Sequence, residues 1–165
     1  ASGFNTRYFQ MKSDEELAVL FMPLVTAKGF HPPAEKVVRA VSLVRERAGF
    51  VSDLWKETDF FFIAPEAYDR EAVKKRWNED SPRIVTELRE VVAGIEPLYS
   101  DNCERIVKDW ISERGLNTGT VLNLFRLIIV GALRGPHLFD IVEWIGRDET
   151  LRRLDNGVKH LSQQS

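Results

Sequence analysis

The sequence has 165 residues, enough for one ordinary domain or two small helical ones that bury about two thirds of their unfolded surface. Its 44% hydrophobic and 29% charged residues are ordinary for a globular chain and argue against both a disordered and a membrane protein. A formal charge of −2 excludes a protein that coats nucleic acid through positive charge alone, so any such contact has to be local.

Ser13 with Glu16 has the pattern of a capping box and predicts a helix starting at Ser13, with Leu17, Leu20, Phe21 and Leu24 recurring at three and four. Pro23 predicts a kink or a division of that helix, and Gly29 its end. After His31-Pro32-Pro33 a second helix carries Val37, Val41, Val44 and Ala48 on one stripe and ends at Gly49. Lys36, Arg39, Arg45 and Arg47 outnumber Glu35 and Glu46 along it, an asymmetry that by itself describes a solvated flank.

Residues 50–68 contain the apolar run Phe60-Phe61-Phe62-Ile63, too isolated to find a strand partner, and read as a packed connector. A helix from Asp69 to Glu79 follows, then one opened by Ser81-Pro82 and broken by Gly94 and Pro97. Another runs from Asp101 to Arg114 with Ile106, Val107, Trp110 and Ile111, stopping at Gly115. The helix starting near Asn117 is apolar on most of its circumference, as the buried central element of a bundle would be. Pro136 opens a helix bearing Leu138, Ile141, Val142 and Ile145, which Gly146 ends. After Asp148 a last helix shows Leu151, Leu154, Val158 and Leu161 before a frayed polar tail. With no strand pair and no internal repeat the fold class is all-α, a bundle or cage of about seven to nine helices.

Chemistry is sparse. The longest apolar run, Val121 to Leu133, is interrupted by Asn123 and Arg126 and falls short of the roughly 20 residues a bilayer needs, so no membrane span is expected. The opening stretch through Gln10 lacks the parts of a signal peptide. Cys103 stands alone, which rules out an internal disulfide or a thiolate metal site and fits a reducing, cytoplasmic setting. Glycine-rich phosphate loops, nucleophile elbows and helical histidine pairs are all missing, so no catalytic residue, cofactor site or metal site is assigned. His31, His137 and His160 lie far apart and read as polar surface residues; carboxylates sit at helix starts and beside basic residues, where they cap and pair.

The segment from Val121 to Leu138 is the most informative. Asn123 and Arg126, three residues apart, share one narrow face of an apolar helix, and the chain continues through Gly131, Leu133 and Arg134 to Gly135-Pro136. A guanidinium, an exposed leucine and a helix N-terminus converging there would suit unstacked bases, which are sandwiched by apolar side chains and hydrogen-bonded by arginine and backbone groups. From spacing alone the plainer reading is favoured: an Arg126 that neutralises a carboxylate on a neighbouring helix and an ordinary interhelical turn at Gly135-Pro136.

These residues resemble a known family. The run from Leu124 through Arg126, Gly131, Leu133, Gly135-Pro136 and Leu138-Phe139-Asp140 is similar to a signature near the C-terminus of bacterial glutamyl-tRNA synthetases, class I aminoacyl-tRNA synthetases. Gly146-Arg147-Asp148-Glu149 with Leu151-Arg152-Arg153-Leu154 resembles that family's closing segment. Phe4-Asn5-Thr6-Arg7-Tyr8 with Lys12 to Leu17 resembles the passage from its stem-contact fold into the anticodon-binding helices.

The resemblance implies two helical anticodon-binding subdomains, residues 1–66 and 67–165, forming a cage for the anticodon loop of tRNA(Glu). By matching position, Arg126, Leu133, Arg134, Gly135, Pro136 and Leu138 would line the pocket, Arg126 as a charged reader and Leu133 and Leu138 as stacking walls. Arg47 matches the arginine that reads the third anticodon base in discriminating members; Arg45 lies beside it, and Lys108 matches a basic position on the same loop. The family's threonine-bearing stretch reads Ile128-Ile129-Val130-Gly131, and Gly135 stands where some members have threonine, so base-specific hydrogen bonds from those hydroxyls are not expected. Motifs of the catalytic nucleotide-binding domain do not occur in the sequence, so aminoacylation by this chain is not expected; ATP and magnesium would serve the full enzyme. The expected partners are tRNA(Glu) and the enzyme's own catalytic domain, with the chain a monomer. The rival readings are a helical protein-interaction module and a small enzyme with Arg126, His137 and Asp140 in one cleft.

Overall fold

A computed structural model describes residues 2–163, with side chains from Thr6 onward; the last two residues of the polar tail lie outside the described residues. Among the described residues there are ten α-helices and no strand, one more helix than the upper expectation. The chain divides into two compact units, Ala1–Ile63 and Ala64–Ser165.

The first unit holds α1 (Ser2–Met11), α2 (Asp14–Ala27), α3 (Ala34–Val44) and α4 (Leu54–Phe62), with 3₁₀ turns at Arg45–Arg47 and Val51–Asp53. The capping box forms as expected: the Glu16 N–H donates to Ser13 Oγ at 3.0 Å and the Ser13 N–H to Glu16 Oε1 at 2.9 Å. The bond from the Ser13 backbone N–H, with help from the Ser13 hydroxyl, holds the Glu16 carboxyl below its ordinary range. Pro23 does not divide α2, which runs through it. Val19, four residues earlier, is 72% exposed, so water can take the carbonyl that proline's missing N–H leaves. Val37, Val41 and Val44 of α3 are buried as expected, with Leu17, Phe21 and Val25 of α2, whereas Leu20 is 44% exposed and Leu24 half-buried, so the inward face of α2 is turned from the expected one.

α1 was not anticipated, and α4 replaces the expected connector. The reason for α4 is a helical period that begins before the phenylalanine run: Leu54, Thr58 and Phe61 are buried at i, i+4 and i+7. Thr58 returns its hydroxyl to the Leu54 carbonyl at 2.6 Å. On the other face Trp55 stacks on Phe62 with ring centroids 5.6 Å apart, and Phe30 closes on Phe62 at 5.6 Å.

The second unit holds α5 (Arg70–Arg76), α6 (Ser81–Ala93), α7 (Ser100–Glu113), α8 (Thr118–Val130), α9 (Leu138–Ile145) and α10 (Arg147–Ser162). α8 is its centre, packing against α5, α6, α7 and α10. Seven of its residues, Val121, Leu124, Phe125 and Leu127 to Val130, are buried, as the all-round apolar pattern predicts. Its start is capped by Asn117, whose Oδ1 accepts the Thr120 N–H at 2.9 Å.

The buried face of α10 is rotated from the expected one. Thr150, Arg153, Leu154, Gly157 and Leu161 face inward, while Leu151 and Val158 are only half-buried. Two residues cause this. At Gly157 an added Cβ would stand 2.5 Å from Ile128 Cγ2, so α10 and α8 approach closely there. Arg153 is 2% exposed, with Nε donating to Glu149 Oε2 at 2.8 Å and Nη1 to the Ile129 carbonyl at 2.9 Å, one of the last carbonyls of α8. Cys103 is buried, and burial pushes its thiol up to about 12, so it is no nucleophile at neutral pH.

Candidate functional site

The turn between α8 and α9 is built from both its ends. α8 stops at Gly131 in the left-handed region, φ 92°, its N–H donating to the Leu127 carbonyl at 2.7 Å. The Gly131 carbonyl accepts the Asp69 N–H at 2.8 Å, which ties the segment entering α5 to the base of the turn. Downstream, α9 begins at Leu138 with His137 as its N-cap residue. Pro136 therefore precedes the cap instead of opening the helix, a shift that leaves His137 at the lip.

Arg126 spans this turn. Its Nη1 donates to the carbonyls of Arg134 and Pro136, each at 2.8 Å. A guanidinium is a rigid fork of N–H donors with no acceptor, and here part of it is committed to two loop carbonyls on a half-buried side chain. Two of its partners are thus backbone carbonyls of the turn itself.

With Arg126 pinning the turn, its side chains divide. Pro136 is buried and Leu138 is 4% exposed, whereas Leu133 is 38% exposed and Arg134 is exposed. Gly135 is half-buried at φ 101°. Leu138 thus belongs to the floor of the turn, beside buried Phe139, which packs edge-on against Phe125 at 6.1 Å. That burial leaves Leu133 as the exposed one of the two leucines expected to be walls.

Lys108 comes to the same place through a carboxylate. On α7 its Nζ lies 2.8 Å from Glu104 Oε2, and the other oxygen of Glu104 lies 3.2 Å from His137 Nε2. The bond from Lys108, aided by His137, holds the Glu104 carboxyl below its ordinary range. An ionised carboxylate only accepts, so Nε2–H is the donor. Glu104 was not singled out in the sequence; its only signal was the four-residue spacing to Lys108.

Arg45 and Arg47 belong to the first unit, in its first 3₁₀ turn. Arg45 donates to Asp14 Oδ1 at 2.7 Å, and to the carbonyls of Lys12 at 2.7 Å and Gln10 at 3.3 Å, joining the end of α1 to the start of α2. That is a scaffolding position. Arg47, two residues on, is exposed. Among the described residues no group of histidine, cysteine and carboxylate side chains could hold a metal, and no helix is long and apolar enough to cross a membrane.

Residues 16–158 match the family of anticodon binding domains. The glutamate–tRNA ligase of Bacteroides fragilis is 49% identical over 158 residues, covering 96% of this chain and 31% of the relative. That of Porphyromonas gingivalis is 41% identical over 96% of this chain and 31% of its own length. Among solved structures, a glutamate tRNA ligase from Elizabethkingia meningosepticum in complex with its amino acid superposes with a TM-score of 0.92 at 31% identity. It covers 97% of this chain, which spans 32% of that protein. The glutamate-tRNA synthetase of Elizabethkingia anophelis superposes with a TM-score of 0.85 at 30% identity, over 96% of this chain and 31% of its own. The chain spans about a third of the length of the relatives it matches.

Proposed function

The chain belongs to the anticodon binding domain family, and from that premise we propose that it reads the anticodon of tRNA(Glu) for a glutamyl-tRNA synthetase. ATP-dependent glutamylation, with its magnesium, is assigned in this proposal to the remaining length of such a ligase.

The observation that carries the reading is the pinned turn. Arg126 holds the backbone of Arg134 and Pro136 while Leu133 and Arg134 stand exposed. Single-stranded RNA is recognised by unstacked bases resting on planar or apolar side chains and hydrogen-bonded at their edges, which requires a surface organised in advance. In this scheme Leu133 is a wall, Arg134 and Lys108 supply charge, and Gly135, Pro136 and Leu138 give the turn its shape. Arg126 orients the turn. Arg45 sets the position of Arg47, the reader of the third base.

Titrating the chain with anticodon stem-loop RNA tests this. Affinity is expected to fall as salt rises and to fall again when the anticodon is changed to that of tRNA(Gln). A helix-binding module would instead use the apolar groove of about 630 Å³ between α2 and α3, lined by Ala18, Val19, Met22 and Val38, and would show neither dependence. Arg47→Ala is expected to cut the preference for the tRNA(Glu) stem-loop over the tRNA(Gln) one by about ten-fold, the size of one lost arginine–base contact. An unchanged preference removes Arg47 from the readers.

A further inference from the structure

The turn presents a third exposed side chain that neither the sequence signature nor the proposed set of readers includes. His137 lies between buried Pro136 and buried Leu138, and its side chain is 45% exposed. It is not a loose surface residue. Its ring packs against the Phe139 ring at 5.7 Å, and its Nε2 edge is held at 3.2 Å by Glu104, itself held at 2.8 Å by Lys108. These contacts fix both the plane and the tautomer of an imidazole at the lip of the turn, on the element that carries Leu133 and Arg134.

We propose that His137 is a further anticodon-contacting residue, a stacking wall for an unpaired base, kept in place by Lys108 and Glu104 acting as positioning residues. The proposal rests on the anticodon-reading function and adds one surface to it. Three features favour a base over a phosphate as the occupant. The imidazole's Nε2 donor is already used by Glu104, and the adjacent carboxylate repels an anion. A fixed aromatic face beside an exposed leucine is also what a stacked base requires. The stacking role expected of Leu138 thus passes to its neighbour, because Leu138 is needed in the core.

The test uses the whole chain and the tRNA(Glu) anticodon stem-loop, with a fluorescent purine analogue placed in turn at each anticodon position. Stacking on His137 is expected to appear as quenching at one position. His137→Ala should abolish that quenching and weaken binding by about ten-fold. His137→Phe, which keeps an aromatic face, should retain most of both, and Glu104→Gln should cause an intermediate loss. Unfolding midpoints of the variants are compared with the parent, so that a destabilised turn is recognised by parallel loss in His137→Phe. Equal affinity of parent and His137→Ala overturns the proposal. So does a loss in His137→Ala that is the same for an anticodon-swapped stem-loop, which would mark a backbone contact. Absence of anticodon-dependent binding by the parent chain overturns the anticodon-reading function itself.

Discussion

Arg153→Ala is expected to lower the stability of the chain by about 3 kcal/mol in urea unfolding, the lower end of the range for breaking a buried ion pair. The side chain is 2% exposed, and its removal leaves a cavity between α8 and α10 and strands the Ile129 carbonyl. The lower end applies because Glu149 keeps a second partner: Arg152 Nε donates to its Oε1 at 2.9 Å, and the carboxylate side chain is 24% exposed. Arg153→Met restores most of the volume without the donors and should cost less than Arg153→Ala. If Arg153→Ala unfolds within about half a kcal/mol of the parent, the guanidinium is not part of the core.

The same cluster gives the chain an acid limit. Burial pushes the Glu149 carboxyl up, but the bonds from Arg153 and Arg152 outweigh it and hold the group below its ordinary 4.5. A folded-state value below the unfolded one means that the contribution is complete above the unfolded value and is lost as pH falls through the folded one. Stability is therefore expected to decline below about pH 4.5, and the decline should be shallower in Glu149→Gln, which has no proton to take up at that position. Unfolding curves across pH 3 to 7 compare the two.

Gly131→Ala is the second large effect, expected at about 3 kcal/mol and accompanied by loss of RNA affinity. Two penalties add. At φ 92° an L side chain pays about 1 to 2 kcal/mol of backbone strain. The new Cβ would also stand 2.8 Å from Pro65 Cβ and 3.0 Å from the Ala67 carbonyl, neither of them a movable side-chain end, and overpacking of this kind costs about 1 to 3 kcal/mol. Gly29→Ala is the control. It has a similar φ of 95° with nothing within 4 Å of an added Cβ, so only the strain applies. Equal losses at the two positions would mean that the Pro65 contact contributes nothing. Because Gly131 also receives the Asp69 N–H at the base of the turn, shifting it displaces the segment that Arg126 clamps, and stem-loop binding should weaken together with stability.

Local signals were legible without coordinates. Ser13, Asn117 and the apolar stripe on α3 specify their helices through short-range hydrogen bonds and a 3.6-residue period. The all-round apolar character of α8 identified the centre of the second unit, and Gly135-Pro136 marked the turn between α8 and α9. α4 was missed because a phenylalanine run masked a period that began at Leu54, and α1 because its helix offers no such local signal.

What a side chain does at that turn was decided by elements distant in sequence. Arg126 spends one nitrogen on carbonyls eight and ten residues later, His137 takes its orientation from Glu104 thirty-three residues earlier, and Gly131 is required by Pro65. The inward face of α10 likewise follows from Ile128 crossing it at Gly157 and from the α8 carbonyl that Arg153 reaches. Periodicity and capping are properties of neighbouring residues, so composition and spacing express them. Which leucine is buried beneath the turn, and how a histidine ring at its lip is held, depends on what packs against the turn from the rest of the unit, and only the folded chain brings those partners together.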